Sequence, residues 1–341
     1  MIELVKEVAI LLIASIALIY SGLLVVKALV RISYKLRIKE YILTFVLLAF
    51  STSIPELFVG ITSALNKNPS LSLGNIIGAN ILDSTFVIAI ALIIARNFKV
   101  SGNLARSTSI YAVGMASFPV LLGPIGGELS RIDGGLLMLS FFIYMGTVLK
   151  KSKVRKQAIE KKDEKALGDG SNMVDGGKIK KAYLRIKDEL FFNVFLFILG
   201  MIAVFFSAKY VTSSAIDISN TLGLPSILVG MIIVSIGTTL PELMLEIRIA
   251  IAKIRGMAFG DPIGSIVVNS TFILGLVALI QPIETSSREF FLGSMFTIAA
   301  TSILAILLNT KKQLTWKHGL MLLLLYFIFL IIQLNADVLN I

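Results

Sequence analysis

Apolar runs about twenty residues long recur along the whole chain, and they leave few folds open. As a helix, a run of that length crosses ~30 Å of hydrocarbon. The runs are continuous rather than alternating, which argues against a β-barrel. Length alone would suggest two soluble domains. With 56% of its 341 residues hydrophobic and a mean hydropathy of +0.89, however, a soluble fold would expose too much apolar surface. The runs predict ten helices, at about 5–30, 41–66, 71–95, 107–127, 132–149, 189–213, 223–251, 258–282, 289–309 and 317–336. The first is too long for a cleaved signal peptide and reads as a span. The expected fold is an all-α polytopic membrane protein in the cell membrane.

The net charge of +11 would raise nucleic acid as a partner in a soluble chain. Its placement gives a better account. Alternate loops hold 26 lysines and arginines on one side and 5 on the other, with Lys27 near a span end. Basic loops face the cytoplasm. Both termini are therefore expected outside, with the long polar segment 151–188 inside; 13 of the basic residues fall between Lys150 and Lys187. Contact with anionic lipid is expected, and binding to nucleic acid is not. The segment contains KKDEK and GDGSNMVDGGK and reads as a flexible tether between halves 1–150 and 189–341. A regulatory cation site on Asp163, Glu164, Asp169 and Asp175 is the less favoured alternative. With no cysteine, thiol chemistry is excluded.

Residues 49–86 and 235–272 align without a gap at a shift of 186, with 13 of 38 positions identical. The identities include Thr52/Thr238, Pro55/Pro241, Glu56/Glu242, Gly74/Gly260 and Gly78/Gly264, residues that chance hydrophobic similarity would not select. Each half holds five predicted spans. An odd number turns the second repeat upside down, the arrangement that marks a secondary transporter's midplane site.

Glu56 and Glu242 fall well inside spans two and seven. A carboxylate at that depth costs on the order of 2.5–3.5 kcal/mol. A bound cation would offset this; a protonated Glu bonded to a neighbouring helix would also. Pro55 and Pro241 free the carbonyls of Ser51 and Gly237, which must line a cavity or bind something. Thr52 and Ser53 share the face of Glu56, and Thr238 and Thr239 that of Glu242; back-bonding to their own helix is the alternative for these hydroxyls. Asp83 and Asn269 each lie 27 residues after their repeat's Glu, with Ala79 and Ser265 one turn earlier. Gly74, Gly78, Gly260 and Gly264 allow close helix approach. The resulting set is all oxygen, which suits hard cations such as calcium. The single His318 is expected in a loop.

At these residues the chain resembles the calcium/cation antiporter superfamily, and within it the sodium/calcium-exchanger branch. That branch carries G-T-S-x-P-E-L followed by G-N-x-x-G-S-N in each of two inverted repeats. Here the counterparts are Ser51–Leu57 and Gly74–Asn80, then Gly237–Leu243 and Gly260–Ile266. The resemblance implies that Glu56 and Glu242 bind calcium. It also implies that Thr52, Ser53, Thr238, Thr239, Asp83, Asn269 and Ser265, with backbone oxygens near Ala49 and Ser235, form sodium sites. Spans one and six would slide to alternate access. Calcium and sodium are the expected transported ions, with no cofactor and no obligatory protein partner. Asp83 and Asn269 stand exchanged relative to prokaryotic exchangers. Ala79 lacks the usual hydroxyl, which weakens or removes one sodium site, and Asp261-Pro262 adds an acid near the cytoplasmic mouth. Crowding of three midplane carboxylates opens a route to proton coupling. The reading is thus a sodium/calcium antiporter. Its runner-up is a proton-coupled or other divalent antiporter of the same fold. Against an intramembrane enzyme stands the lack of any Ser/His, Cys/His or metal–His constellation; a channel is disfavoured by the inverted repeat.

Overall fold

The computed structural model describes residues 2–35, 49–100, 103–166, 190–252 and 259–335. In the first half, helix α1 (Ile2–Lys35) precedes two short helices, α2 (Ala49–Thr52) and α3 (Ile54–Leu65), separated at Ser53. Helix α4 (Pro69–Leu82) passes through a π-helical turn, Asp83–Val87, into α5 (Ile88–Ala95). Strand β1 (Asn97–Lys99), α6 (Asn103–Leu122), β2 (Glu128–Leu129) and α7 (Arg131–Ala166) complete it. The second half opens on α8 (Leu190–Leu222). A span follows, made of α9 (Ser226–Val229), a π-helical turn over Gly230–Val234, α10 (Ser235–Thr238) and α11 (Leu240–Ala252). Next come α12 (Gly260–Val267), a third π-helical turn over Val268–Ile273 and α13 (Leu274–Ile280). Strand β3 (Ile283–Glu284), α14 (Arg288–Thr310), β4 (Gln313–Thr315) and α15 (Trp316–Leu334) close the fold.

Among the described residues seven helices are long and apolar enough to cross a membrane, or eight with the bent span Ser226–Ala252, which turns by 42° at Thr239. Ile54–Leu65 and Thr108–Leu122 are shorter apolar helices. Residues 41–48 of the second predicted span lie outside the described residues, as do 167–188 of the predicted tether, with Asp169 and Asp175.

Two expectations are corrected. Residues 151–166 are not a flexible tether: they prolong α7 as helix. The stretch is rich in Lys, Glu, Gln and Ala, all good helix formers, so the helix continues beyond its apolar part. His318 is not in a loop: it sits in the first turn of α15, where its Nδ1 accepts the Thr315 amide at 3.0 Å in a capping box.

The packing respects the 186-residue shift. The breaks at Ser53 and Thr239 correspond, as do the π-helical turns at 83 and 268 and the glycine-bearing α4 and α12. Contacts come in exchangeable pairs. Helix α4 packs on the 226–238 segment while α12 packs on α2; α5 meets α11 and α15 while α13 meets α3 and α7. Helix α6 packs against its own counterpart α14, and α1 runs along α8. The two-stranded ladders obey the same exchange. Strand β1 pairs antiparallel with β4 and β2 with β3, each ladder joining the two halves. The basic-residue count puts both members of each ladder on one side of the membrane.

Glycines set the closest approaches. A Cβ on Gly74 would lie 1.9 Å from the Ile227 carbonyl oxygen, and one on Gly78 2.1 Å from that of Met231. On the facing segment, a Cβ on Gly230 would lie 2.2 Å from the Leu71 carbonyl oxygen. Backbone meets backbone here, with no side chain between. Outward faces of α1, α7, α8 and α15 carry exposed Leu, Ile and Phe, as lipid-facing surfaces do.

Candidate functional site

Proline shapes the centre of the bundle. Pro55 and Pro241 each stand at the second position of the helix after a break. There the missing N–H costs little, because the first amides of a helix have no intrahelical acceptor. Main-chain bonds still bridge each break: the Ser53 amide donates to Ala49 O at 3.2 Å and the Thr239 amide to Ser235 O at 3.0 Å. Glu56 and Glu242 follow their prolines directly, in the first turn of α3 and α11. A helix N-terminus favours a carboxylate.

The hydroxyls next to the breaks reach across the repeat. Thr52 Oγ1 donates to Asp261 Oδ1 at 3.1 Å and lies 3.4 Å from Ser265 Oγ. Its counterpart Thr238 donates to Asn75 Oδ1 at 3.0 Å. Asn75 and Asp261 are themselves a pair at the 186-residue shift. Each threonine also touches its own helix, Thr52 at Ala49 O and Thr238 at Ser235 O, both at 3.3 Å. Back-bonding and cross-repeat bonding therefore coexist. The oxygens of Ala49 and Ser235 accept from both an amide and a hydroxyl.

The π-helical turns carry the next layer. Asp83 opens the first; Asn269 lies in the third and donates to Asn80 Oδ1 at 3.3 Å, while Asn80 Nδ2 donates to Ser270 Oγ at 2.8 Å. Single-turn π insertions are frequent at functional sites. Thr85 and Thr271 back-bond to the carbonyls of Ile81 and Val267.

Glu56, Asp83, Glu242, Glu246, Asp261 and Asn269 are each 1% exposed. Ser53 Oγ, Glu56 Oε2, Asp83 Oδ1, Thr239 Oγ1, both Glu242 oxygens and Asn269 Oδ1 have no hydrogen-bond partner among the described residues. The electrostatic neighbours of the acids are one another: Glu56, Asp83 and Asp261 all act on Glu242, and Glu56, Asp261 and Glu246 on Asp83. No three Asp, Glu, His or Cys side chains converge as a ready cage among the described residues.

Every sequence-predicted site residue thus lies at or beside the two breaks and the first and third π-helical turns. Sequence reading missed the contact made by Asp261, expected at the mouth yet bonded to Thr52, and it missed Asn75, Asn80, Ser270 and Glu246. The signal for Asn75 and Asp261 was available: polar residues at matched positions directly after a matched glycine.

The sequence profile described as "Sodium/calcium exchanger protein" matches residues 6–150 and 192–335. The chain belongs to the sodium/calcium exchanger family. With its long apolar helices, membership makes it a multi-pass membrane protein. It is 25% identical over 335 residues to the sodium/calcium exchanger MaX1 of Methanosarcina acetivorans, covering 90% of this chain and 92% of that one. Over 140 residues, 40% of the chain, it is 34% identical to the inner membrane protein YrbG of Escherichia coli. Its fold is similar to that of the sodium-calcium exchanger NCX_Mj, with a TM-score of 0.62 and 23% identity over 95% of this chain and 97% of the other.

Proposed function

We propose that the chain exchanges sodium for calcium across the cell membrane by alternating access. One observation carries this reading: seven buried oxygens around Glu56, Glu242, Asp83 and Asn269 lack a hydrogen-bond partner among the described residues. Buried carboxylates without donors are costly, and a hard cation satisfies several at once. In this reading Glu56 and Glu242 hold calcium. Thr52, Ser53, Thr238, Thr239, Asp83, Asn269 and Ser265, with the main chain at Ala49 and Ser235, serve sodium. In this reading an ion completes its shell with hydroxyl, amide and carbonyl oxygens. Sodium and calcium compete for that shell, and the empty, charged site resists crossing.

The proposed architecture is ten spans in two inverted halves, 1–150 and 189–341, joined through 151–188, with both termini outside. Ladder exchange supports the inversion. The shift maps β1 onto β3 and β2 onto β4, while β1 pairs β4 and β2 pairs β3. Helix α6 separates β1 from β2 by ~30 Å, since twenty residues rise 1.5 Å each. An operation that swaps the ladders therefore swaps the membrane faces. The chain has no cysteine, so single-cysteine labelling needs no background removal. Cysteine at Ser286 should react with an impermeant maleimide in intact cells, and cysteine at Ser152 only after permeabilisation. The reverse pattern would overturn the orientation.

Alternating access is supported by the loose setting of α1 and α8, which pack chiefly on each other. Gly22 on α1 rides over both kink prolines: its Cβ would lie 3.2 Å from Pro55 Cγ and 3.5 Å from Pro241 Cγ. Gly22→Val should catch there, lowering maximal exchange about tenfold or more with calcium half-saturation little changed. An unchanged rate would remove the proposed sliding surface.

The direct test is calcium-45 uptake into proteoliposomes loaded with sodium, with potassium-loaded and acid-loaded controls. Uptake that needs internal sodium supports the reading. Uptake driven by an acid interior alone would make the proton the coupling ion. No calcium uptake under any gradient would reject the substrate assignment.

A further inference from the structure

One buried acid has no role in the exchange reading. Glu246 lies one turn beyond Glu242 on α11, 1% exposed, and its Oε1 has no hydrogen-bond partner among the described residues. The charge of Asp261, on α12 packed against α11, acts on it. Asp261 gives Oδ1 to the Thr52 hydroxyl, while its buried Oδ2 has no partner either. The Phe259 main chain, held left-handed at φ 66°, reaches Glu246 from the same side. A protonated Glu246 would need an acceptor for its proton, and among the described residues Oε1 meets none. Two buried carboxylates on helices that touch, each with an idle oxygen, suit a hard cation.

The pair is also one-sided. At the 186-residue shift Glu246 corresponds to Gly60 and Asp261 to Asn75. The Gly60 position is closed by Val277 and Ser72, whose atoms would lie 2.9 and 3.1 Å from a Cβ there. The equivalent place in the first repeat is therefore neutral and filled. The acidic version lies one helical turn beyond Glu242 on α11 and in the first turn of α12.

We propose that Glu246 and Asp261 form a second cation subsite, for calcium or an ion of the same hardness, one helical turn from the central site. It holds the ion before handing it to Glu242. The proposal rests on the exchanger reading for its purpose, but its binding can be measured alone.

The test is equilibrium binding of calcium-45 to the purified full chain. The Glu56→Gln/Glu242→Gln double variant should keep a weaker binding step. Adding Glu246→Gln should weaken that step at least tenfold. No residual step in the double variant, or a residual step indifferent to Glu246→Gln, overturns the subsite. Should Glu246→Gln fail to elute as a monodisperse peak, Glu246→Asp replaces it: binding several-fold weaker is expected, and unchanged binding overturns the proposal. A wild-type chain that exchanges calcium while the residual step is missing loses only the subsite. A wild-type chain that neither binds nor moves calcium loses both.

Discussion

Glu56→Gln should abolish sodium-driven calcium uptake, by a factor of about 100 or more, while leaving the fold intact. Glutamine keeps the shape and removes the charge. Breaking a buried charge pair by removing one partner costs roughly 3–5 kcal/mol, and each 1.4 kcal/mol is tenfold in affinity. The ion-free protein should respond with the opposite sign. Glu56 Oε2 is buried without a partner and Glu56 acts on Asp83 and Glu242, so removing its charge relieves repulsion. The thermal midpoint without ions should therefore rise or hold. Calcium at one hundred times its Kd would stabilise the wild type by about 2.7 kcal/mol; the variant should lose that increment. Melting curves with and without calcium, run beside the uptake assay, read both signs. A variant that still takes up calcium at the wild-type rate would remove Glu56 from the site.

Gly74→Ala should unfold or aggregate the protein, although it adds a single methyl group. The new Cβ would stand 1.9 Å from the Ile227 carbonyl oxygen, on a helix held by its own hydrogen bonds. Relief needs the two helices to part by more than an ångström, which breaks the matching approaches at Gly78 and Gly230. Overpacking in a core typically costs about 1–3 kcal/mol and more where nothing flexible can yield. Gly135→Ala is the control. No atom lies within 4 Å of a Cβ there, and alanine favours helix by up to about 1 kcal/mol. Size-exclusion profiles should show loss of monodisperse protein for Gly74→Ala and none for Gly135→Ala. Equal behaviour of the two would mean that α4 and the 226–238 segment pack less closely than described.

Much of this was legible in the sequence because the informative residues break rules. A proline before a glutamate inside an apolar run marks a helix break with a carboxylate at its start, and the run recurs with the same spacing. Gly74 and Gly78, four apart, announced backbone contact and found it. What was not legible depends on which residues face each other. Asp261 looked like a residue of the mouth because it opens a helix; its bond to Thr52 exists only once α12 packs on α2. Asn75 meets Thr238 for the same reason. Glu246 carried no repeat signal, since its counterpart is a glycine. Helix to residue 166 and the cap made by His318 are local effects of composition and end geometry, which a hydropathy reading passes over.

The cross-repeat bonds also set a schedule for synthesis. Asn75, Asn80 and Asp83 sit on a span that is 83% buried in the finished fold, yet the segments that bury it arrive more than 140 residues later. At roughly 5–20 residues per second, that is a wait of about 7–30 s. Throughout it, a helix carrying an acid and two amides has only lipid, the insertion machinery or its immediate predecessors for company. The polar centre that suits this chain to moving ions is thus also what makes its first half a dependent intermediate, one whose survival is decided by how fast the second half is delivered.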